Sequence, residues 1–334
     1  MNTRLLVVLY CGIFTFTVNA QQLASWSSFY ETGFIWNPAL TARYTQWELS
    51  GTHRQEWIGY DDAPEITTIS FQLPFYQKNF TSSCGGAYAE RDKVGPFENY
   101  TFSLAYAYKF RPKLLGRGIW DELSIGFSAK ASKYQFNRGK LTFFESYETL
   151  YATTLDESYP SFTPNLSIGV NYSTRNAMQN YHKSYFFCGI AAYQLIPSKL
   201  LHIDLPGDRT DSWDITSQPH IFTNLGYRQY IFRSENFMEY NLMAITTMNF
   251  ANHAMASFKF ETGNQWWISS GAVTNGEIFV QTGVIFGPKS KLKKIVKDGR
   301  LRIGIKGDFH AGKLALLSRT GYELYMAYTF ETEK

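Results

Sequence analysis

Apolar and polar positions alternate with a period of two along most of this chain. Tyr100, Phe102, Leu104, Tyr106, Tyr108 and Phe110 share one parity, and Thr101, Ser103, Ala105, Ala107 and Lys109 the other. Successive side chains of a strand point to opposite faces, so this pattern predicts a strand with one greasy face and one small or polar face. Leu123, Ile125, Phe127 and Ala129 repeat it against Ser124, Gly126, Ser128 and Lys130; Leu166, Ile168, Val170 and Tyr172 do so against Ser167, Gly169 and Asn171. Later, Leu301, Ile303 and Ile305 alternate with Arg302, Gly304 and Lys306. Tyr322, Leu324, Met326, Tyr328 and Phe330 then alternate with Glu323, Tyr325, Ala327 and Thr329. Helical periodicity is nearly absent. Fifteen such segments are centred near residues 49, 69, 86, 105, 126, 143, 168, 189, 225, 241, 257, 268, 282, 304 and 325. Those near 49 and 143 are weak and are candidates for a plug or loop. A closed single-chain barrel has an even count, so about fourteen antiparallel strands are expected, with twelve or sixteen open.

A soluble sandwich shows the same alternation, with its greasy face in the core. Composition favours a membrane wall instead. Aromatic residues make up 17% of the 334 residues, and charged residues only 18%, against roughly 25% in soluble domains. Tyr and Trp gather near strand ends, as in the aromatic girdles of membrane barrels, and no linker divides the chain. The expected fold is all-β, a transmembrane outer-membrane β-barrel.

Met1 to Ala20 reads as a secretory signal peptide, with Arg4, an apolar run and Val18-Asn19-Ala20 before the cleavage point. Residues 21–44 are expected to form an extended, plug-like N-terminal segment, and residues 45–334 the barrel. Ser146 to Thr163 and Pro197 to Pro219 read as long polar connections, on the surface or folded into the lumen. Cys84 and Cys188 remain after cleavage, as one disulfide or as two free residues in the wall. The net charge of +4 becomes +3 without Arg4, which is too small and dispersed for a nucleic-acid partner. One basic run, Lys289 to Arg300, reads as a solvated turn or as a periplasmic or lipopolysaccharide-facing contact.

Enzyme signatures are missing from the sequence: there is no G-x-S-x-G elbow, P-loop, G-x-G-x-x-G or H-E-x-x-H. His202-Ile203-Asp204 and Gly207 to Asp211 are too short of donors for a metal site. No catalytic residue, cofactor or metal is expected.

Two stretches stand out. Asn37-Pro38-Ala39 follows an aromatic-rich run, and Pro38 excludes a central strand there. Arg54-Gln55-Glu56-Trp57 and Ala63-Pro64 come next, and Arg54 beside Trp57 can stack and donate hydrogen bonds. The alternative for Trp57 is a strand end in the headgroup belt. The second stretch contains Trp266 and Trp267, which as neighbours on a strand should face lipid and lumen in turn.

Ser28-Phe29-Tyr30, Asn37-Pro38-Ala39, Arg54-Gln55-x-Trp57-x-Gly59 and Ala63-Pro64 resemble the PorP/SprF family of the type IX secretion and gliding system of Bacteroidota. Gly226-Tyr227, Asn264-Gln265-Trp266-Trp267, Leu301 to Ile305 and Gly321 to Phe330 extend the resemblance to nearly the whole chain. Asn37 to Ala42 stands where the family usually has Asn-Pro-Ala-Tyr-Ala-Gly, and Ile305 to Asp308 where it has a serine-tyrosine-aspartate triplet. The resemblance implies a non-enzymatic outer-membrane component, with Asn37, Pro38, Arg54, Gln55, Trp57, Trp266 and Trp267 as fingerprint and docking residues. It implies partners among outer-membrane lipid and lipopolysaccharide, type IX components, a peptidoglycan-binding periplasmic lipoprotein and sorting-domain cargo or adhesins. A barrel transporting hydrophobic solutes and a barrel lipid enzyme are the rival readings.

Overall fold

The computed structural model describes residues 31–44, 46–78, 80–114, 120–137, 156–158, 162–175, 184–204, 212–231, 235–247, 252–263, 265–288, 296, 298–310 and 320–330. The leader, Gly207 to Asp211 and the lysines of the basic run lie outside these residues, as do the side chains of His202 and Asp204. The strands are β1 (Trp47–Gln55), β2 (Glu65–Lys78), β3 (Thr81–Val94), β4 (Phe97–Phe110), β5 (Glu122–Phe136), β6 (Asp156–Ser158), β7 (Thr163–Ser173), β8 (Tyr185–Tyr193) and β9 (Lys199–Asp204). They continue as β10 (Ser212–Thr216), β11 (His220–Tyr230), β12 (Phe237–Thr247), β13 (Asn252–Thr262), β14 (Trp266–Val273), β15 (Glu277–Phe286), β16 (Arg300–His310) and β17 (Gly321–Phe330).

Fourteen of these strands close into one barrel in the order β1-β17-β16-β15-β14-β13-β12-β11-β8-β7-β5-β4-β3-β2. Closure pairs β1 with β17, setting Trp47 opposite Phe330. A closed antiparallel ladder satisfies every wall amide and leaves no edge, which lipid requires. The weak segment near 49 is therefore a barrel strand rather than a plug, and the one near 143 lies outside the described residues. The two long connections also hold structure: β10, β9 and β6 form a separate three-stranded sheet.

Burial separates membrane barrel from sandwich. On β4 the small face (Thr101, Ser103, Ala105, Ala107, Lys109) is buried, whereas Phe102 is 53% and Leu104 56% exposed. A soluble sheet would bury the opposite set; here the greasy face is turned to lipid. Facing rings sit over cross-strand glycines inside the wall. Trp267 lies opposite Gly283, and Gly283 opposite Gly304, so the indole lies across both, where a Cβ at either would collide with it. Phe187 covers Gly226 in the same way. Cys84 and Cys188 are free, the first buried and the second half-buried.

The barrel has two distinct mouths. The connections 137–162 and 194–219, which contain β6, β9 and β10, leave from the loop mouth. Shorter connections such as 79–80, 231–236 and 263–265 close the opposite, turn mouth, where β1 begins and β17 ends.

Candidate functional site

Residues 31–44 occupy the lumen. Thr32 and Phe34 to Ala42 are buried, in two single turns of 3-10 helix at Gly33–Ile35 and Pro38–Leu40. Pro38 opens its turn at a position where no N–H is needed, and the Ala39 N–H donates to the Asn37 Oδ1 at 3.0 Å. This local cap turns the chain back on itself inside the barrel. Phe34, Ile35, Trp36 and Leu40 join Ile66, Phe222, Met243, Met255 and Phe279 in an apolar cluster on the loop side. Trp36 stacks on Phe222 at 6.4 Å and 12°, and Phe34 meets Tyr88 edge-on at 5.9 Å.

The wall is shaped to receive this segment. A Cβ at Gly126 would collide with the Pro38–Ala39 peptide, and one at Gly169 with the Asn37 amide. Gly126 and Gly169 are register partners on β5 and β7, so together they form a backbone floor beneath the plug. Polar side chains of the small-residue face bind the plug backbone. Ser124 donates to the Ala39 carbonyl at 2.6 Å, Lys109 Nζ to the Ala42 carbonyl at 2.6 Å, and Asn37 Nδ2 to the Val170 carbonyl at 3.3 Å. The Ala42 N–H donates to Gln72 Oε1 at 2.8 Å. The contacts at Ala39 and Ala42 satisfy plug backbone groups that would otherwise be buried without a partner.

Charge fixes the plug at the turn mouth. Glu31 accepts from Lys259 Nζ at 2.6 Å and from Arg302 Nη2 at 3.1 Å, and both cations also pair with Glu261 at 3.2 and 2.9 Å. Arg302 lies 4.7 Å from the Trp267 ring. At the other end of the segment, Arg228 pairs with Glu239 and donates to the Tyr44 hydroxyl at 2.6 Å.

The fingerprint residues do not share one place. Asn37 and Pro38 form the plug turn. Arg54 is 1% exposed and faces the lumen near the loop mouth. It pairs with Glu56 at 3.0 Å, Glu277 at 3.2 Å and Asp308 at 3.5 Å. Lys306 binds Glu277, Asp308 and Glu323 at 3.4, 3.1 and 3.5 Å. Arg54 and Asp308, from distant blocks of the chain, thus meet across the barrel seam. Gln55 and Trp57 lie elsewhere. Gln55 accepts from the Tyr322 hydroxyl at 3.1 Å, and Trp57 is exposed after β1. Trp266 is 43% exposed and Trp267 0%, one on each face. Glu31, Lys259, Arg302, Lys306 and Glu277 were not singled out by sequence reasoning. Their signal was a charge on the non-greasy parity of a strand, or next to an aromatic run. Among the described residues no group of three His, Cys, Asp or Glu is placed to hold a metal.

A closed barrel with a lipid-facing apolar surface and a plugged, polar-walled lumen defines an outer-membrane β-barrel protein. The chain matches the family of type IX secretion system membrane proteins PorP/SprF over residues 18–328, and it belongs to that family. It is thereby an outer-membrane component of the secretion and gliding machinery of Bacteroidota, in a family of membrane proteins rather than of enzymes. A search of curated proteins by sequence gives no match. Among solved structures, the CymD monoaromatic hydrocarbon channel is similar with a TM-score of 0.54 at 9% identity, over 91% of this chain and 93% of that one. A deltaS2 mutant of the TodX monoaromatic hydrocarbon channel has a TM-score of 0.51 at 7% identity, over 90% and 94%. At such identities the likeness is one of fold.

Proposed function

We propose that this chain is a plugged docking barrel, which supports export or surface attachment of sorting-domain cargo or adhesins by binding periplasmic components of the type IX system. A peptidoglycan-binding lipoprotein is among the partners this reading names. The observation that supports it is the plug: residues 31–44 fill the lumen and are bound through backbone, ring and charge contacts at once. A lumen so filled is a poor conduit and a rigid base, so the working surfaces are the mouths and connections. In outer-membrane barrels the long loops face outward and the short turns face the periplasm, which points the turn mouth and the plug at the machinery.

Crosslinked affinity purification from outer membranes, with mass spectrometry of the partners, tests this. Recovery of type IX ring or translocon proteins together with a sorting-domain cargo is the expected result. Recovery of the barrel alone, under crosslinking that captures a known complex in the same membranes, would favour the solute-channel reading that the fold permits. Solute-dependent uptake into liposomes would then be the measurement to make. Arg54→Ala is unsuited to this test, because it leaves Lys306 alone to balance the buried Glu277 and Asp308.

A further inference from the structure

The turn mouth carries guanidinium groups that anchorage of the plug does not use up. Arg228 is committed to Glu239 and to the Tyr44 hydroxyl. Arg43, the next cation along the plug, lies 4.0 Å above the Phe187 ring and 5.6 Å from the Tyr44 ring. Its Nη2 is buried and has no hydrogen-bond partner among the described residues. A third guanidinium, Arg175, sits 5.4 Å from the Tyr185 ring, and Arg228 sits 5.7 Å from the same ring. Three cations therefore surround a small group of rings, with Glu239 as the carboxylate paired among them.

This arrangement has the properties of an anion receptor. Rings hold planar guanidinium groups in place by stacking, which leaves their edges to donate to a carboxylate. A buried N–H without an acceptor loses the hydrogen bond it would make in water, and an arriving anion restores it. Tyr44 is 42% exposed, so the group has one solvent-facing member, while Arg228 and Tyr185 are buried. The loop mouth has the opposite character, with Glu56, Glu277, Asp308 and Glu323 around Arg54 and Lys306. At the turn mouth Glu31 and Glu261 are matched by Lys259 and Arg302, and Glu239 by Arg228, which leaves the Arg43 charge to draw an anion.

We propose that the turn mouth is a docking site for an acidic peptide segment of a protein partner, its carboxylates received by Arg43 beside the Tyr44 hydroxyl, with the Glu239-paired Arg228 next to it. The inference rests on the docking reading above and names the chemistry of what docks. Arg228 and Tyr185 point into the lumen rather than toward the bilayer, which favours a peptide over a lipid phosphate.

The test uses the full-length protein in detergent with fluorescent hexaglutamate, with hexalysine as the control and phosphatidylglycerol as competitor. Hexaglutamate should bind about tenfold tighter than hexalysine, weakening as salt rises. Arg43→Gln should cost about tenfold in hexaglutamate affinity, and Tyr44→Phe a smaller factor of about three. Heat-modifiable gel migration shows that each variant is a folded barrel, and Tyr44→Phe carries the test if Arg43→Gln does not fold. Equal binding of both peptides, unchanged affinity in the folded variants, or displacement of the peptide by phosphatidylglycerol would each overturn the proposal. Partner recovery by crosslinking separates the two readings. If wild type and Arg43→Gln recover type IX partners equally, this inference fails while the docking reading stands. If wild type recovers none, the docking reading fails, and the peptide titration still decides the chemistry of the mouth.

Discussion

At Glu31 two opposing effects act on one carboxyl. Burial pushes its pKa up, and Arg302 and Lys259 together more than offset this, holding it at about 2 against an ordinary 4.5. A carboxylate depressed in the folded state contributes its full stability above the unfolded value and loses it as pH falls through the folded one. The clasp between plug and wall should therefore be complete above pH 4.5 and be lost progressively toward pH 2. Glu31→Gln should mimic that loss at neutral pH. Removing one partner from a buried ionic group costs about 3–5 kcal/mol, and the low end is expected because Glu261 still pairs with both cations. Limited proteolysis reads this directly: the variant should be cut within 31–44 where wild type resists, and equal resistance would show that the apolar contacts suffice. Ala42 is a second instructive residue. Its φ of 47° is in the left-handed region, and it stands where the family pattern has glycine. Its methyl is buried with Cys84 and Ala107, so Ala42→Gly gains backbone freedom and loses packing. The two should cancel to within about 1 kcal/mol. Ala42→Val, β-branched at positive φ, should lower the unfolding temperature clearly.

The elements were legible in the sequence where one face was uniformly greasy. Fourteen of the fifteen segment centres fall within barrel strands, because a wall strand between lipid and a filled lumen keeps strict alternation over its whole length. The segment near 49 read weakly because β1 places Gly51 and His53 on its outer face. What could not be read was which strands meet: the Arg54–Asp308 and Glu31–Lys259 pairs depend on closure and plug depth, not on spacing. The glycines show the same division. Gly126 and Gly169 looked like ordinary small-face residues, yet they are the floor on which Asn37 to Ala39 rests. Gly126→Val should leave a heat-modifiable barrel whose plug is protease-sensitive, since the new side chain occupies the space of the Pro38–Ala39 peptide. Gly283→Val acts within the wall instead, by displacing the Trp267 indole. Overpacking of this kind costs roughly 1–3 kcal/mol, so its unfolding temperature should fall with the plug still protected. If the two variants gave the same protease pattern, plug and wall would not be separable units.

At the scale of the whole molecule, the plug decides whether a barrel of this size is a pore. An eight-stranded barrel fills with its own side chains, and sixteen or more strands leave an aqueous channel. This wall has fourteen strands, and the space it encloses is taken by Phe34, Ile35, Trp36 and Leu40 toward the loop side and by the Glu31 clasp toward the turns. Wild-type protein in planar bilayers should therefore be electrically silent. Deletion of residues 31–44 removes no wall strand and exposes Lys109, Ser124 and Gln72, which are suited to water. The deletion variant should fold and conduct. Loss of Glu31 leaves Lys259 and Arg302 against Glu261 at the turn mouth, while the larger imbalance is at the loop mouth, with Glu56, Glu277, Asp308 and Glu323 against Arg54 and Lys306. A ring of excess carboxylate concentrates cations in the adjoining pore, so the reversal potential in a salt gradient should show a cation preference that Glu323→Gln reduces. A silent, folded deletion variant would mean that the wall side chains close the lumen unaided. The plug would then be a fixture of the docking face rather than the seal of the barrel.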